Sequence, residues 1–205
     1  MKRIVSLFLI LSLFLLPFSY ATAANRIAAS FYPVFIFAMN VVEDIDDIEL
    51  VCMTAPTTGC LHDYQLLTTD LITLSKSDAL IICGAGMEPY LADVKAQLPA
   101  LGMIDCSEGI ELIEEDGELN AHTWLDVRNA IIIVRTIADS LAAMYPQHAE
   151  KINNNAANYI SRLENLHKDI SAALTPYHGK KIVTFHEAFP YFAKAYGLEI
   201  CAVIS

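Results

Sequence analysis

The run Ala79-Leu80-Ile81-Ile82-Cys83-Gly84-Ala85-Gly86 decides the architecture of this chain. Five apolar residues end in a tight Gly-Ala-Gly turn, which reads as a strand feeding a loop. The turn lacks the further glycine and phosphate-loop context of a nucleotide fingerprint, so its glycines are read as backbone geometry alone. Working outward, residues 27–31, 48–53 and 102–105 are short strand-like runs of the same kind. Stretches with helical spacing, 34–42, 69–76 and 88–98, lie between them. Strands alternating with helices predict an α/β layer on a largely parallel sheet.

Residues 126–144 follow as a helix rich in Ile, Val, Leu and Ala. Pro146 then suits the first turn of a new helix. From there Ile152, Ala156, Tyr159, Leu163, Leu166, Ile170 and Ala173 recur at steps of four and three, an apolar stripe that predicts one helix running to about residue 176. At about 1.5 Å per residue it spans roughly 40 Å, which suits a strut between domains better than a coiled coil without partner repeats. After His178-Gly179 the strand–helix–strand pattern restarts over 181–185, 188–196 and 199–204. One such unit cannot bury both its faces, so it reads as the start of a second lobe.

The N-terminus carries Lys2-Arg3, an apolar run over 4–18, and then Ala21-Thr22-Ala23. That layout predicts a cleavable signal peptide over 1–23 and an exported chain beginning at Ala24. No cysteine stands at the cleavage site, so a lipid anchor there is not expected. The chain has 24 Asp and Glu against 13 Lys and Arg, a formal charge of −11, and the acidic excess grows once Lys2 and Arg3 are removed. Such a surface repels nucleic acid and anionic lipid and attracts cations. Cysteines stand at 52, 60, 83, 106 and 201. Cys83 and Cys106 lie in apolar runs as small core residues, whereas Cys52 and Cys60 bracket a short loop that a disulfide could close in an oxidising compartment.

Three of the six histidines share a setting. His62 is in the loop after the second strand, His122 lies just before a helix, and His186 sits at a strand-to-helix junction. Ligands of open α/β sheets collect at the carboxyl ends of strands. Neutral imidazole suits zinc and other later transition metals, and three such nitrogens with one carboxylate or water complete a tetrahedron. Asp63, Asp126 and Glu187 are candidates to hold the other ring N–H of these histidines. His148, His167 and His178 lie on or beside the long helix and are read as surface residues. A solvated loop histidine is the competing reading at each of the three positions, and spacing alone leaves both open.

The motifs narrow the choice. Ser30-Phe31-Tyr32-Pro33, His62-Asp63-Tyr64, Thr69-Asp70, Gly84-Ala85-Gly86-Met87-Glu88, His122-Thr123-Trp124-Leu125-Asp126 and His186-Glu187-Ala188-Phe189 stand in order along the chain. Together with Tyr191-Phe192 and Tyr196-Gly197-Leu198 they resemble the zinc/manganese solute-binding proteins of ABC metal importers, across essentially the whole mature chain. The resemblance implies two α/β lobes joined by one rigid helix, with the ion in the cleft between them. It divides the chain into a signal peptide (1–23), an N-terminal metal-binding lobe (24–144), a bridging helix (145–178) and the start of a C-terminal lobe (179–205), the first lobe complete and the second partial. It also implies that His62, His122 and His186 are metal ligands. Histidine at the third position points to Zn2+, with Mn2+ or iron as the alternative cargo.

A non-enzymatic, monomeric binding protein is therefore expected, one that captures the ion in the periplasm and passes it to a membrane permease without touching nucleic acid. The chain departs from the family pattern at Cys60-Leu61, where Asp-Pro is common, and at Val127, where proline is usual. No histidine-rich insertion lies between Ile110 and His122. The family's fourth ligand, an Asp or Glu, falls beyond the matched motifs, so a truncated or partial chain is expected, with water or the Cys60 thiolate as a substitute. A metal-dependent hydrolase using Glu187 or Asp63 as base is the competing class, and an inert secreted fragment the third. No His-Glu-x-x-His string or nucleophile elbow supports the hydrolase.

Overall fold

The computed structural model describes residues 25–55, 61–62, 64–115 and 117–204. The expected signal peptide, Cys60 and Asp63 lie outside these residues. Four parallel strands form the main sheet: β1 (Asn25–Ala29), β2 (Ile48–Cys52), β3 (Ala79–Ile82) and β4 (Gly102–Asp105), in the order β2-β1-β3-β4. Parallel neighbours need crossovers, supplied by α1 (Tyr32–Val41), α2 (Thr68–Leu74) and α3 (Leu91–Gln97). The inner strands β1 and β3 carry the short apolar runs because layers cover both their faces: Ile27, Ala28, Ala29 and all of β3 are buried.

The Gly84-Ala85-Gly86 turn is backbone geometry, as its sequence implied. Its three residues take successive positive φ values of +78°, +51° and +87°. A Cβ on Gly84 would overlap Asp105 Oδ1. The turn is gathered onto Glu88, whose Oε1 accepts Ser30 Oγ–H and Cys83 N–H at 2.7 Å each and whose Oε2 accepts Gly84 N–H at 3.1 Å.

α4 (Val127–Met144) buries Val127, Ala130, Ile133, Val134, Ile137, Ala138 and Leu141, one face at helical spacing, and packs along α5 (Ala149–Leu174). Asp126 does not serve a histidine. It caps α4, accepting Arg128 N–H at 2.9 Å and pairing with the Arg128 guanidinium at 2.7 Å. The 26 residues of α5 give a length of about 39 Å, flanked by 3-10 turns at Pro146–His148 and Thr175–Tyr177. Its stretch up to Leu163 is anchored: Ile152, Ala156 and Leu163 are buried, and Asn155 Nδ2 donates to Val41 O at 3.1 Å and Glu43 O at 2.7 Å, satisfying carbonyls at the end of α1.

The apolar stripe is not covered throughout. Leu166 is 46% exposed and Ala173 is exposed, because this half of α5 has left the four-stranded body and runs beside a smaller unit. Two histidines assigned to the surface are half-buried and partnered instead. His148 Nε2 meets Asp47 Oδ2 at 2.7 Å, and His167 Nδ1 meets Tyr196 Oη at 3.2 Å. His178 is exposed as expected.

A short antiparallel hairpin, β5 (Glu114–Glu115) and β6 (Glu118–Leu119), was not foreseen. The smaller unit pairs β7 (Lys181–Thr184) in parallel with β8 (Glu199–Val203) through α6 (Pro190–Tyr196), which ends on Gly197 in the left-handed region. This two-stranded sheet leaves Val183, Phe185, Val203 and Ile204 exposed, as one strand–helix–strand unit must. Cys83 and Cys106 are buried core thiols, and Cys52 is a half-buried free thiol. Among the described residues no helix is long and apolar enough to cross a membrane.

Candidate metal centre

The three histidines face one cleft between the four-stranded body and the β7–α6–β8 unit. His62 follows β2, His122 is the N-cap of a 3-10 turn (Thr123–Leu125) that leads into α4, and His186 follows β7. The cleft holds about 700 Å³ and is lined by these three histidines with Glu115, Glu118, Asn120, Glu187 and Pro190. Docking of α6 builds it. Tyr191 Oη accepts Ile113 N–H at 2.9 Å and donates to Asn120 O at 2.8 Å, so α6 holds the strap from 113 to 120 that ends at His122.

The rings lie close together. His122 is 4.8 Å from His186 and 5.4 Å from His62, centroid to centroid, and the Nε2 atoms of His122 and His186 stand 3.0 Å apart. His122 is the buried member, at 4% exposure, backed by Trp124 at 5.3 Å, whereas His62 and His186 open to solvent. Burial holds the His122 imidazole down to about 4, and the neighbouring His186 and His62 rings push the same way. The ring is therefore neutral at pH 7, the form that ligates metals. Among the described residues no three His, Cys, Asp or Glu side chains form a ready-made metal cage. His122 stands between the other two rings and is the neighbour of both.

Of the carboxylates expected to orient these rings, Asp126 caps α4 and Asp63 is not described. Glu187 contributes its backbone carbonyl instead of its side chain. A partner of His122 that sequence reasoning missed is Asn120: its Oδ1 lies 3.1 Å from both His122 N and Nδ1. Its Nδ2 donates to Glu115 Oε2 at 2.9 Å and to Glu187 O at 2.8 Å. The available signal was an amide two residues before a candidate ligand, a spacing from which a side chain can turn back onto its own loop.

Residues 27–205 match the family described as zinc-uptake complex component A, periplasmic (ZnuA). The chain belongs to the ZnuA family. It is 31% identical over 199 residues to the zinc-binding protein AdcA of Streptococcus pyogenes serotype M3, covering 84% of this chain and 38% of that one. It therefore spans well under half the length of that relative. The fold is similar to the crystal structure of the Zn(II)-bound ZnuA-like domain of Streptococcus pneumoniae AdcA, with TM-score 0.79 and 30% identity over 87% of this chain and 66% of that one. It is also similar to the solute-binding protein FpvC of Pseudomonas aeruginosa in complex with Mn2+, with TM-score 0.75 and 26% identity over 87% and 67%. The two-lobed α/β solute-binding fold expected from the motifs is thus the fold of this ZnuA relative, with one lobe built in full and the β7–α6–β8 unit standing for the second.

Proposed function

We propose that this chain captures Zn2+ outside the cytoplasm through His62, His122 and His186, as the ion-binding component of an ABC metal importer that delivers it to a membrane permease. The observation that carries the reading is the spacing of the rings. Tetrahedral zinc with Zn–N bonds of about 2.05 Å needs ligand nitrogens about 3.3 Å apart and ring centroids about 5.2 Å apart. The nitrogens of His122 and His186 are 3.0 Å apart, and the centroid distances of 4.8 and 5.4 Å bracket that requirement. Water, or a carboxylate from the cleft wall, takes the fourth position. Three borderline nitrogen donors favour zinc over the harder Mn2+, which is the ion in the FpvC complex.

In this reading residues 1–23 direct export and are removed, 24–144 form the metal-binding lobe, 145–178 the bridge and 179–205 the start of the second lobe. The protein works as a monomer and catalyses no reaction. Glu115, Glu118 and Glu187 give the cleft a negative wall that draws in cations over roughly the 8–10 Å that salt leaves unscreened. Equilibrium titration with Zn2+ and Mn2+ tests the reading. One tightly bound Zn2+ per chain, displaced by a chelator and weakened at least a hundredfold in His122→Ala and His186→Ala, is the expected result. Stoichiometric binding that survives both substitutions would refute the site, and hydrolytic turnover of the zinc-loaded chain would favour an enzyme.

A further inference from the structure

We propose that Asn120 is the positioning residue of this centre: its side-chain amide selects the His122 tautomer that leaves Nε2 unprotonated, and ties that ring to the loop carrying His186. The inference rests on the reading of His122 as a ligand.

The argument is one of hydrogen-bond satisfaction. The amide nitrogen of Asn120 has two acceptors, the Glu115 carboxylate at 2.9 Å and the Glu187 carbonyl at 2.8 Å. An oxygen in its place would meet both with lone pairs, so these partners fix which way the amide faces. The amide oxygen then points at His122, where it accepts the backbone N–H at 3.1 Å. The same oxygen lies 3.1 Å from His122 Nδ1, and because it cannot donate, Nδ1 must carry the hydrogen. Nε2 is left with its lone pair directed into the cleft. The 3.0 Å contact between the two Nε2 atoms follows: His186 supplies the hydrogen and His122 accepts it.

On entry of an ion His122 needs no rearrangement. His186, exposed to water, moves its proton from Nε2 to Nδ1 through solvent, with no net gain or loss. Asn120 does a second job with the same group, since Glu187 is the neighbour of His186 and belongs to the smaller unit. One amide thus joins the loop that carries His122 to the loop that carries His186, and the Tyr191 hydroxyl bonded to the Asn120 carbonyl holds the amide's own backbone. Partners of metal-bound imidazoles at this remove typically alter affinity by about 10–100-fold when lost.

Long-range 1H–15N NMR of the histidine rings in the metal-free protein at pH 7.5 reads the tautomer without any metal. The expected result is His122 protonated at Nδ1 in the wild type. In Asn120→Leu the ring shifts to the Nε2–H form or to a mixture, and Zn2+ affinity falls about 10–100-fold. A wild-type His122 protonated at Nε2 would overturn the proposal, as would an Asn120→Leu protein with unchanged tautomer and affinity. Should Asn120→Leu fail to fold, the wild-type spectrum decides, because an Nε2–H ring there would overturn the proposal. A wild type with the expected tautomer that takes up no zinc would sink the zinc reading while supporting the role of Asn120 in setting the ring.

Discussion

Glu88 makes the stability of the main sheet depend on pH. Its carboxyl is buried beside the Gly84-Ala85-Gly86 turn, and two effects compete there. Burial raises its pKa, and the donors Ser30 Oγ, Cys83 N and Gly84 N lower it. Burial wins, with help from the charge of Asp105, and the group sits at about 7 against an ordinary 4.5. The folded state therefore holds a proton that the unfolded chain releases. This contribution is fully present below pH 4.5 and is lost as pH rises through 7. A displacement of about 2.5 pKa units at about 1.36 kcal/mol each makes the loss roughly 3 kcal/mol. Glu88→Gln is the matching perturbation, since a neutral amide keeps the shape and the acceptor for Cys83 N–H while removing the titration. Urea unfolding of both proteins at pH 5 and pH 8 supplies the measurement, and their difference cancels every other titrating group. The wild type is expected to lose about 2–3 kcal/mol more than Glu88→Gln between the two pH values. Equal losses in the two proteins would refute the reasoning.

Two further substitutions probe the frame around the centre. Gly84→Ala combines a positive φ with a Cβ that overlaps Asp105 Oδ1, which is itself bonded to Ser107 Oγ at 2.6 Å. It is expected to cost about 2–4 kcal/mol by urea unfolding. Gly86→Ala, with a similar φ and open space around it, should cost only about 1 kcal/mol. Asn155→Leu leaves Val41 O and Glu43 O without their donor and is expected to lower stability by about 1–3 kcal/mol, measured in the same way.

Much of this arrangement was legible in the residues. The runs around β1 and β3 are almost uninterrupted because both faces are covered, and Pro146 marked the start of the long helix because proline is tolerated in a first turn. The three histidines stood out because His62 follows a strand, His122 stands just before a helix and His186 sits at a strand-to-helix junction. What escaped depends on contacts between distant segments. The 114–119 hairpin pairs mainly glutamates over two residues a side, so it has no alternation to detect. His148 and His167 found partners 101 and 29 residues away. Leu166 looked like its neighbours in the stripe, yet its exposure depends on where the second unit lies. Asp126 was read as a histidine partner although its place before a helix is equally that of a cap, and the cap is what it forms. Asn120 drew no notice because its role depends on Glu187, 67 residues further on.

Zinc K-edge X-ray absorption on the Zn2+-loaded protein tests the three-histidine centre most directly. A first coordination sphere of nitrogen and oxygen alone at about 2.0–2.1 Å is expected, with outer-sphere scattering from three imidazoles that drops to two in His186→Ala. A sulfur neighbour at about 2.3 Å would place Cys60 or another thiol on the ion, and an unchanged imidazole count in His186→Ala would remove that residue from the site. Either result would contradict the account.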